Sequence, residues 1–205
     1  MRPELLESVI CNDDRECRES LGQIRETLSY INKIASSIKV GVKLERLGKP
    51  LINHVSNIDE IKRSVASKLN GEENLVDYAL RRVLYVKLRG RVRASREDSL
   101  CPLCGRPPTL IFFRKTDSAL FSGDIPHARC SCGMEWEYDE WRCPQCGSTG
   151  RMQFDLQISR NGQVELRTCR KCGFTLFVAR RITGDRDYFH VLANMIVGGI
   201  SGGSG

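Results

Sequence analysis

The sequence lacks any long apolar run. Its 205 residues contain no window that approaches the roughly 18 to 20 uninterrupted apolar residues of a membrane-spanning helix. The first residues, MRPELLESVICNDD, turn acidic where a signal peptide would have its apolar segment. We therefore expect a cytoplasmic protein without membrane insertion.

Catalytic motifs are also missing. No Ser-His-Asp set and no carboxylate pair is recognisable, and the glycine-rich residues 198–205 lack the strand, lysine and helix of a phosphate-binding loop. No motif of this kind competes with our expectation that the protein is not an enzyme. The formal charge of +7 falls to about +3 if eight cysteines bind two divalent ions as thiolates, so net charge argues little for nucleic acid.

Cysteine, by contrast, is abundant. Eight of the ten cysteines fall into four pairs within residues 101–172, in the segments CPLCG, CSCG, CPQCG and CRKCG. A Cys-x-x-Cys pair places two sulfur atoms on one tight turn, and the glycine that follows it can adopt a positive φ. In a reducing cytoplasm such pairs are more often metal ligands than disulfides. Cys11 and Cys17 lie outside the four pairs, and we interpret them as buried or incidental thiols.

Four cysteine turns predict two tetrahedral metal sites, each holding one ion. Pairing each turn with its neighbour is the most economical arrangement, and interleaved pairing is the alternative. Both iron and zinc accept four thiolates, so the sequence does not choose between them. Binding of zinc stabilises small peptides by roughly 10 to 16 kcal/mol, so the metal would supply much of the folding energy here. The predicted ligands of the two sites are Cys101, Cys104, Cys130 and Cys132, and Cys143, Cys146, Cys169 and Cys172.

The second cysteine turn is irregular. Cys130 and Cys132 are separated by one residue instead of two, and Arg129 occupies the place of a regular first cysteine. The turn can still direct the Cys130 sulfur toward the metal, and His127 is the alternative ligand. We expect this first site to be the weaker or more exchangeable one.

The chain is predicted to be α+β, with a helical bundle over residues 1–98. Apolar residues recur at helical spacing over residues 21–38, after Asn57, and from Asn74 onward. Short strands follow, with Asn161-Gly162 marking a hairpin. We expect two small tandem rubredoxin-like (zinc-ribbon) β modules at residues 99–142 and 143–185. A short helix and a flexible tail would occupy residues 186–205.

The third predicted helix carries arginines. If it continues to residue 96, four of them lie within about 60° of one another around its axis. They would form a solvated face, a docking surface for an acidic partner, or a phosphate contact. Aromatic residues that could stack on bases are absent from this stripe apart from Tyr85. The arginines are Arg82, Arg89, Arg93 and Arg96.

The order of these motifs carries a resemblance. The segments CPLCG-x-PP, Cys132-GME-Trp136, Arg142-CPQCG and Arg167-T-CRKCG, with the apolar residues 188–197, resemble the C-terminal half of the formate dehydrogenase accessory protein family (FdhE). The resemblance covers roughly residues 99–197. It implies a helical domain followed by two iron-binding, rubredoxin-like modules and a closing helix.

The resemblance also implies a function. A member of that family would dock the catalytic subunit of a molybdenum- or tungsten-dependent formate dehydrogenase, or a related oxidoreductase, during its maturation. Two other classes stay open on the sequence. One is a zinc-ribbon protein that binds nucleic acid, and the other is a rubredoxin-like electron carrier, because Fe(Cys)4 changes oxidation state and Zn(Cys)4 does not.

Overall fold

The structure, a computed structural model, describes residues 15–69, 73–118, 121–158, 162 and 164–180. Within these ranges the protein is α+β, with three α-helices followed by one six-stranded mixed sheet. The helices are α1 (Arg15–Ser37), α2 (Ile58–Ala66) and α3 (Glu73–Leu88). The strands are β1 (Leu110–Ser118), β2 (Phe121–Arg129), β3 (Glu135–Glu137), β4 (Phe154–Ile158), β5 (Val164–Cys169) and β6 (Thr175–Ala179). Short 3-10 helices span Leu51–His54, Arg89–Arg91 and Arg151–Gln153.

The chain divides into two compact units. The first contains the chain up to Arg93, with the three helices, and the two loops Pro102–Gly105 and Ser131–Met134. The second contains Ala94–Cys101, Arg106–Cys130 and the described residues from Glu135 onward. In this unit α3 packs against both α1 and α2. Among the side chains that the structure describes, the apolar stripes face this core, as the sequence predicts. The buried stripe residues include Leu28, Ile31, Ala35, Ile38, Ile61, Val65, Leu80, Val83 and Leu84.

Asn57 precedes α2 at the N-cap position, where asparagine is a preferred residue type. Its side chain accepts no capping hydrogen bond from a backbone N–H of the helix, and its Nδ2 atom donates to Glu60 Oε2 at 3.1 Å. The Oδ1 atom accepts a hydrogen bond from the Lys43 N–H (2.9 Å), and the Nδ2 atom donates to Gly41 O (2.9 Å). Asn57 therefore stabilises the loop before the helix, and the hydrogen bonds to this loop satisfy the polar groups of the Asn57 side chain.

Helix α3 is shorter than the arginine stripe requires. It ends at Leu88, the 3-10 turn Arg89–Arg91 follows, and Val92 is already extended (φ −92°, ψ 122°). Gly90 lies in that turn, and glycine disfavours helix by about 1 kcal/mol relative to alanine. The condition for one helical face through residue 96 is therefore not met, and Arg93 and Arg96 lie beyond the helix.

The sheet has the strand order β3-β2-β1-β6-β5-β4. Strands β1 and β2 form one antiparallel hairpin, and β4 and β5 form a second. Gly162, in the turn predicted from Asn161-Gly162, has a φ of 66°. The parallel pair β1–β6 (Leu110↔Phe177 to Phe112↔Ala179) joins the two hairpins edge to edge. The strands of both predicted modules thus lie in one sheet, and the rubredoxin-like character of each module stays a prediction.

Several expectations fall on residues that the structure does not describe. These are Cys11, the side chain of Cys17, the closing helix at residues 188–197 and the glycine-rich tail. No helix among the described residues has the length and the apolar character needed to cross a membrane.

Candidate metal centres

Three of the four cysteine turns have the same backbone geometry. In each, the N–H of the first cysteine donates to the carbonyl oxygen five residues later, at 2.8 Å: Cys101 to Arg106, Cys143 to Ser148 and Cys169 to Phe174. The glycine after each second cysteine has a φ between 72° and 75°. An L-residue with a side chain rarely adopts this conformation, so the Cys-x-x-Cys-Gly sequence specifies the turn.

The second cysteine turn differs, as its shorter spacing predicts. Gly133 has a φ of 100°, and the Met134 N–H donates to the Cys132 sulfur at 3.4 Å. Arg129 and Glu135 are cross-strand partners at the ends of β2 and β3, and their side chains form an ion pair. Arg129, which stands where a regular first cysteine would be, therefore closes the base of the turn and leaves ligation to Cys130.

The four turns bring eight sulfur atoms into two groups. In each group all four sulfurs lie within 4.8 Å of one another. A tetrahedron with metal–sulfur bonds of about 2.3 Å has sulfurs about 3.8 Å apart, so both groups fit one metal ion each. The pairing of neighbouring turns is confirmed over interleaved pairing. The groups are Cys101, Cys104, Cys130 and Cys132, and Cys143, Cys146, Cys169 and Cys172.

The first group contains Cys130, and His127 lies outside it. The His127 Nδ1 atom lies 3.1 Å from Ile125 O, and its ring packs beside Phe112 with centroids 5.6 Å apart. His127 is thus a β2 side chain that packs on β1. Three of the four sulfur ligands in this group belong to buried residues, with Cys104 half-buried.

Two sulfur–sulfur contacts describe the second group. The Cys143 and Cys172 sulfurs lie 3.5 Å apart, and those of Cys146 and Cys169 lie 3.6 Å apart. Cys172 is exposed, and Cys146 is half-buried. The metal position at this group is therefore close to solvent on the Cys172 side.

The thiols of the second group have widely different pKa values. Burial raises the pKa of Cys143 to about 12. Hydrogen bonding with the Ser148 side chain and backbone lowers the pKa of Cys146 to about 6, and the Cys146 sulfur lies 3.2 Å from the Ser148 hydroxyl oxygen. Metal ligation requires thiolates, so Cys146 is the ligand that is ionised most readily.

Arg82 supports the loop that carries Cys132. It is buried, and its Nη2 and Nε atoms donate to Asn32 Oδ1 at 2.8 Å and 3.0 Å. Its Nη1 atom donates to Cys132 O at 3.4 Å, and its guanidinium lies 5.7 Å from the centroid of the Tyr85 ring. Arg82 is therefore buried, whereas the sequence predicts that it belongs to an exposed stripe. Arg89, Arg93 and Arg96 are exposed, and their docking role stays a prediction.

A buried ionic cluster in the second unit escapes prediction from the sequence. Arg167 on β5 is fully buried, and it donates to a Glu165 carboxylate oxygen from Nε (2.9 Å) and Nη2 (2.7 Å). Its Nη1 donates to Glu140 O at 2.7 Å, and Arg180 donates to the second Glu165 oxygen at 2.7 Å. The cluster ties the segment before Cys143 to β5, which ends at Cys169.

The cluster also changes the ionisation of one carboxylate. Burial raises the pKa of Glu165, but hydrogen bonds from Arg180 and Arg167 outweigh burial and lower the pKa below its ordinary value. The only hint in the sequence is alternation: Glu165 and Arg167 occupy the same face of β5, two residues apart. A charged pair on one face ordinarily predicts a solvated face, not a buried one.

Comparisons with protein-family models, with curated proteins and with solved structures found no match to this chain. The site is therefore interpreted from its own geometry. Within the described residues, that geometry offers two four-cysteine groups, each suited to one ion, and it does not distinguish iron from zinc.

Proposed function

We propose that the protein is a metal-binding accessory protein, not an enzyme, that docks the catalytic subunit of a molybdenum- or tungsten-dependent formate dehydrogenase or a related oxidoreductase during its maturation. One observation carries the proposal: four cysteine turns bring eight sulfurs into two groups that each fit one metal ion. The client class comes from the motif resemblance described above.

The two metal groups suit a structural and docking role. The turns are built from backbone hydrogen bonds and left-handed glycines, so a bound ion would lock loops that are already close to the liganded conformation. Zinc bound to four thiolates would cross-link these loops, and iron in the same place would add one-electron chemistry. In either case, the residues of this chain hold the ion and display the loops around it.

Affinity purification from the native host tests this function most directly. The tagged protein is isolated anaerobically with nuclease treatment, and the retained proteins and metals are identified by mass spectrometry. We expect a molybdopterin-type oxidoreductase subunit to be retained by the parent protein and lost with Cys146→Ser. The matched control is Lys171→Ala, which changes an exposed residue of a cysteine turn without removing a ligand.

The alternative classes give different outcomes in the same experiment. Recovery of RNA polymerase or ribosomal components without an oxidoreductase subunit would contradict the accessory function and support nucleic-acid binding. Retention of the client by Cys146→Ser to the same extent as by Lys171→Ala would contradict the docking role of this turn.

The second candidate function is electron transfer, and the exposure of Cys172 favours it. A metal ligand at the surface gives an electron a short route between the ion and a partner. The candidate requires iron, so the anaerobically isolated protein should be coloured and show a reversible one-electron wave in voltammetry. A colourless protein that retains two zinc ions would exclude this function.

A further inference from the structure

The first unit contains a groove that has no part in metal ligation. Its volume is about 230 Å³. One wall is the segment before and within the 3-10 helix Leu51–His54, and another is the extended chain that follows α3 at Val92. The third wall is Pro102, in the loop Pro102–Gly105.

Two backbone hydrogen bonds fix the floor of this groove. The Leu51 N–H donates to Pro102 O at 3.0 Å, and the Ile52 N–H donates to Leu103 O at 2.8 Å. Leu51 is only 3% exposed, whereas Leu47 on the rim is 74% exposed. The groove thus combines a fixed apolar floor with an apolar side chain that solvent reaches freely. Exposed apolar surface that is rimmed by polar residues is a feature of many ligand-binding grooves.

The charged residues that line the groove are all basic. Lys49, Arg91 and Arg93 line it, and none of the described residues that line it is acidic. Arg91 and Arg93 are exposed, so their guanidinium groups can meet a ligand from solvent. A rim of three cations around an apolar floor is complementary to an apolar group flanked by anions.

The size and lining of the groove favour a peptide. Small-molecule pockets usually span roughly 300 to 1,000 Å³, and this groove is smaller, with room for one large side chain. Its lining contains no aromatic residue on which a nucleic-acid base could stack. We propose that the groove lined by Leu47, Lys49, Leu51, Arg91, Arg93 and Pro102 binds an acidic peptide segment of a partner protein through one large aliphatic side chain.

The groove deepens the accessory function proposed above, because it names a surface and the chemistry of the partner segment. Arg93 belongs to the arginines predicted for docking, and the groove places it beside Arg91, which that prediction omits. The groove residues are not metal ligands, so its test and the metal test are separate. Loss of peptide binding with two bound metals would contradict the groove alone, and missing metals with intact peptide binding would contradict only the metal function.

Fluorescence anisotropy with the full-length, metal-loaded protein tests the groove. The probe is a short fluorescein-labelled peptide with a central leucine flanked by glutamates, and a peptide with lysines in place of the glutamates is the control ligand. We expect the acidic peptide to bind and the basic peptide not to bind. Reversing two charges with Arg91→Glu/Arg93→Glu should weaken binding by about tenfold or more, and increasing salt should weaken it in the parent.

Two further variants separate the groove from general electrostatics. Leu47→Ala removes an exposed apolar side chain and should weaken binding by about threefold to tenfold without affecting the fold. Lys62→Glu/Arg63→Glu makes the same charge change on exposed positions of α2 outside the groove, and binding should stay within about twofold of the parent.

Three outcomes would overturn the groove proposal. The first is absence of acidic-peptide binding by the parent protein at low salt. The second is an equal loss of binding in the groove and α2 charge variants, which would show a non-specific charge effect. The third is a labelled single-stranded oligonucleotide that binds more tightly than the peptide and loses affinity with Arg91→Glu/Arg93→Glu, which would assign the groove to nucleic acid.

Discussion

The guanidinium carbon of Arg167 lies 3.7 Å from the centroid of the Trp141 ring. Arg167 is fully buried, and its remaining polar contacts go to Glu165 and Glu140. Trp141 precedes Cys143 by two residues, and Arg167 precedes Cys169 by two residues. The stacked pair therefore holds together the two chain segments that lead into the second metal group.

Removing Arg167 should destabilise the protein strongly. Arg167→Ala leaves the buried Glu165 with one arginine partner instead of two and creates a cavity beside Trp141. We therefore expect the free energy of unfolding to fall by about 3 to 5 kcal/mol. Denaturant titration of the metal-loaded protein measures this loss. The control is Arg170→Ala, which removes an exposed pair with Asp155 and should cost less than about 1 kcal/mol. Equal costs would show that the buried cluster contributes no more than a surface ion pair.

Glu165 should make stability depend on pH in the acid range. Its folded-state pKa is lowered, so its carboxylate stabilises the protein above the unfolded-state pKa of about 4.5. That contribution is lost as the pH falls through the lower folded-state pKa. The difference in unfolding free energy between the parent and Glu165→Gln should therefore be largest near neutral pH and shrink below about pH 4.5.

The matched control for Glu165 is Asp155→Asn, because Asp155 is an exposed carboxylate in an ion pair. Its difference from the parent should stay small across the whole range. A Glu165→Gln difference that stays constant from neutral to acid pH would show that the effect of the substitution is not electrostatic.

Gly133 should tolerate alanine less well than Gly147, although both have positive φ. A Cβ atom at Gly133 would collide with the Arg82 guanidinium and lie 3.1 Å from the Tyr85 ring, whereas a Cβ at Gly147 meets nothing within 4 Å. Moving Arg82 aside would break its bonds to Asn32 and to Cys132 O.

We therefore expect Gly147→Ala to cost about 1 to 2 kcal/mol for its backbone conformation alone. Gly133→Ala should cost more and release the metal of the first group. Metal content per chain, measured on purified protein, should fall from two ions to one for Gly133→Ala and remain two for Gly147→Ala. Two ions in both variants would mean that Arg82 does not hold the Cys132 loop in place.

Loss of one ligand should unfold only the neighbourhood of its own group. In Cys146→Ser we expect amide hydrogen exchange to accelerate in residues 143–148 and 169–174, whose turn hydrogen bonds depend on the bound ion. The β1–β2 hairpin should keep its protection, because the strands pair along nine residues each. The control is Lys171→Ala, which keeps all four cysteines of the group. If amide exchange accelerated over the whole protein in both variants, the second metal would not organise its own turns.

The sequence predicts the parts of this fold that depend on local chemistry. Cysteine spacing identifies both metal groups, because each turn is fixed within five residues. Helical periodicity places α1 and α2, and Asn161-Gly162 places the β4–β5 hairpin. These features require no knowledge of contacts between distant residues.

The features that escape prediction depend on contacts between distant residues. The parallel pairing of β1 with β6 brings together Leu110 and Phe177, which are far apart in the sequence. No turn motif signals this pairing. Burial of Arg167 depends on the adjacent residues Glu140 and Trp141 and on Arg180, which come from two separate segments. Arg82 looks like a surface residue on helical angles alone, and its contacts with Asn32 on α1 and with the loop at Cys132 explain its burial.

The central claim is that each four-cysteine group binds one metal ion through sulfur alone. Native mass spectrometry of the anaerobically purified protein, combined with X-ray absorption at the edge of the metal found, measures both stoichiometry and ligands. We predict two ions per chain, each with four sulfur neighbours at about 2.3 Å. A single ion per chain, or a first shell that includes nitrogen or oxygen ligands, would contradict the claim.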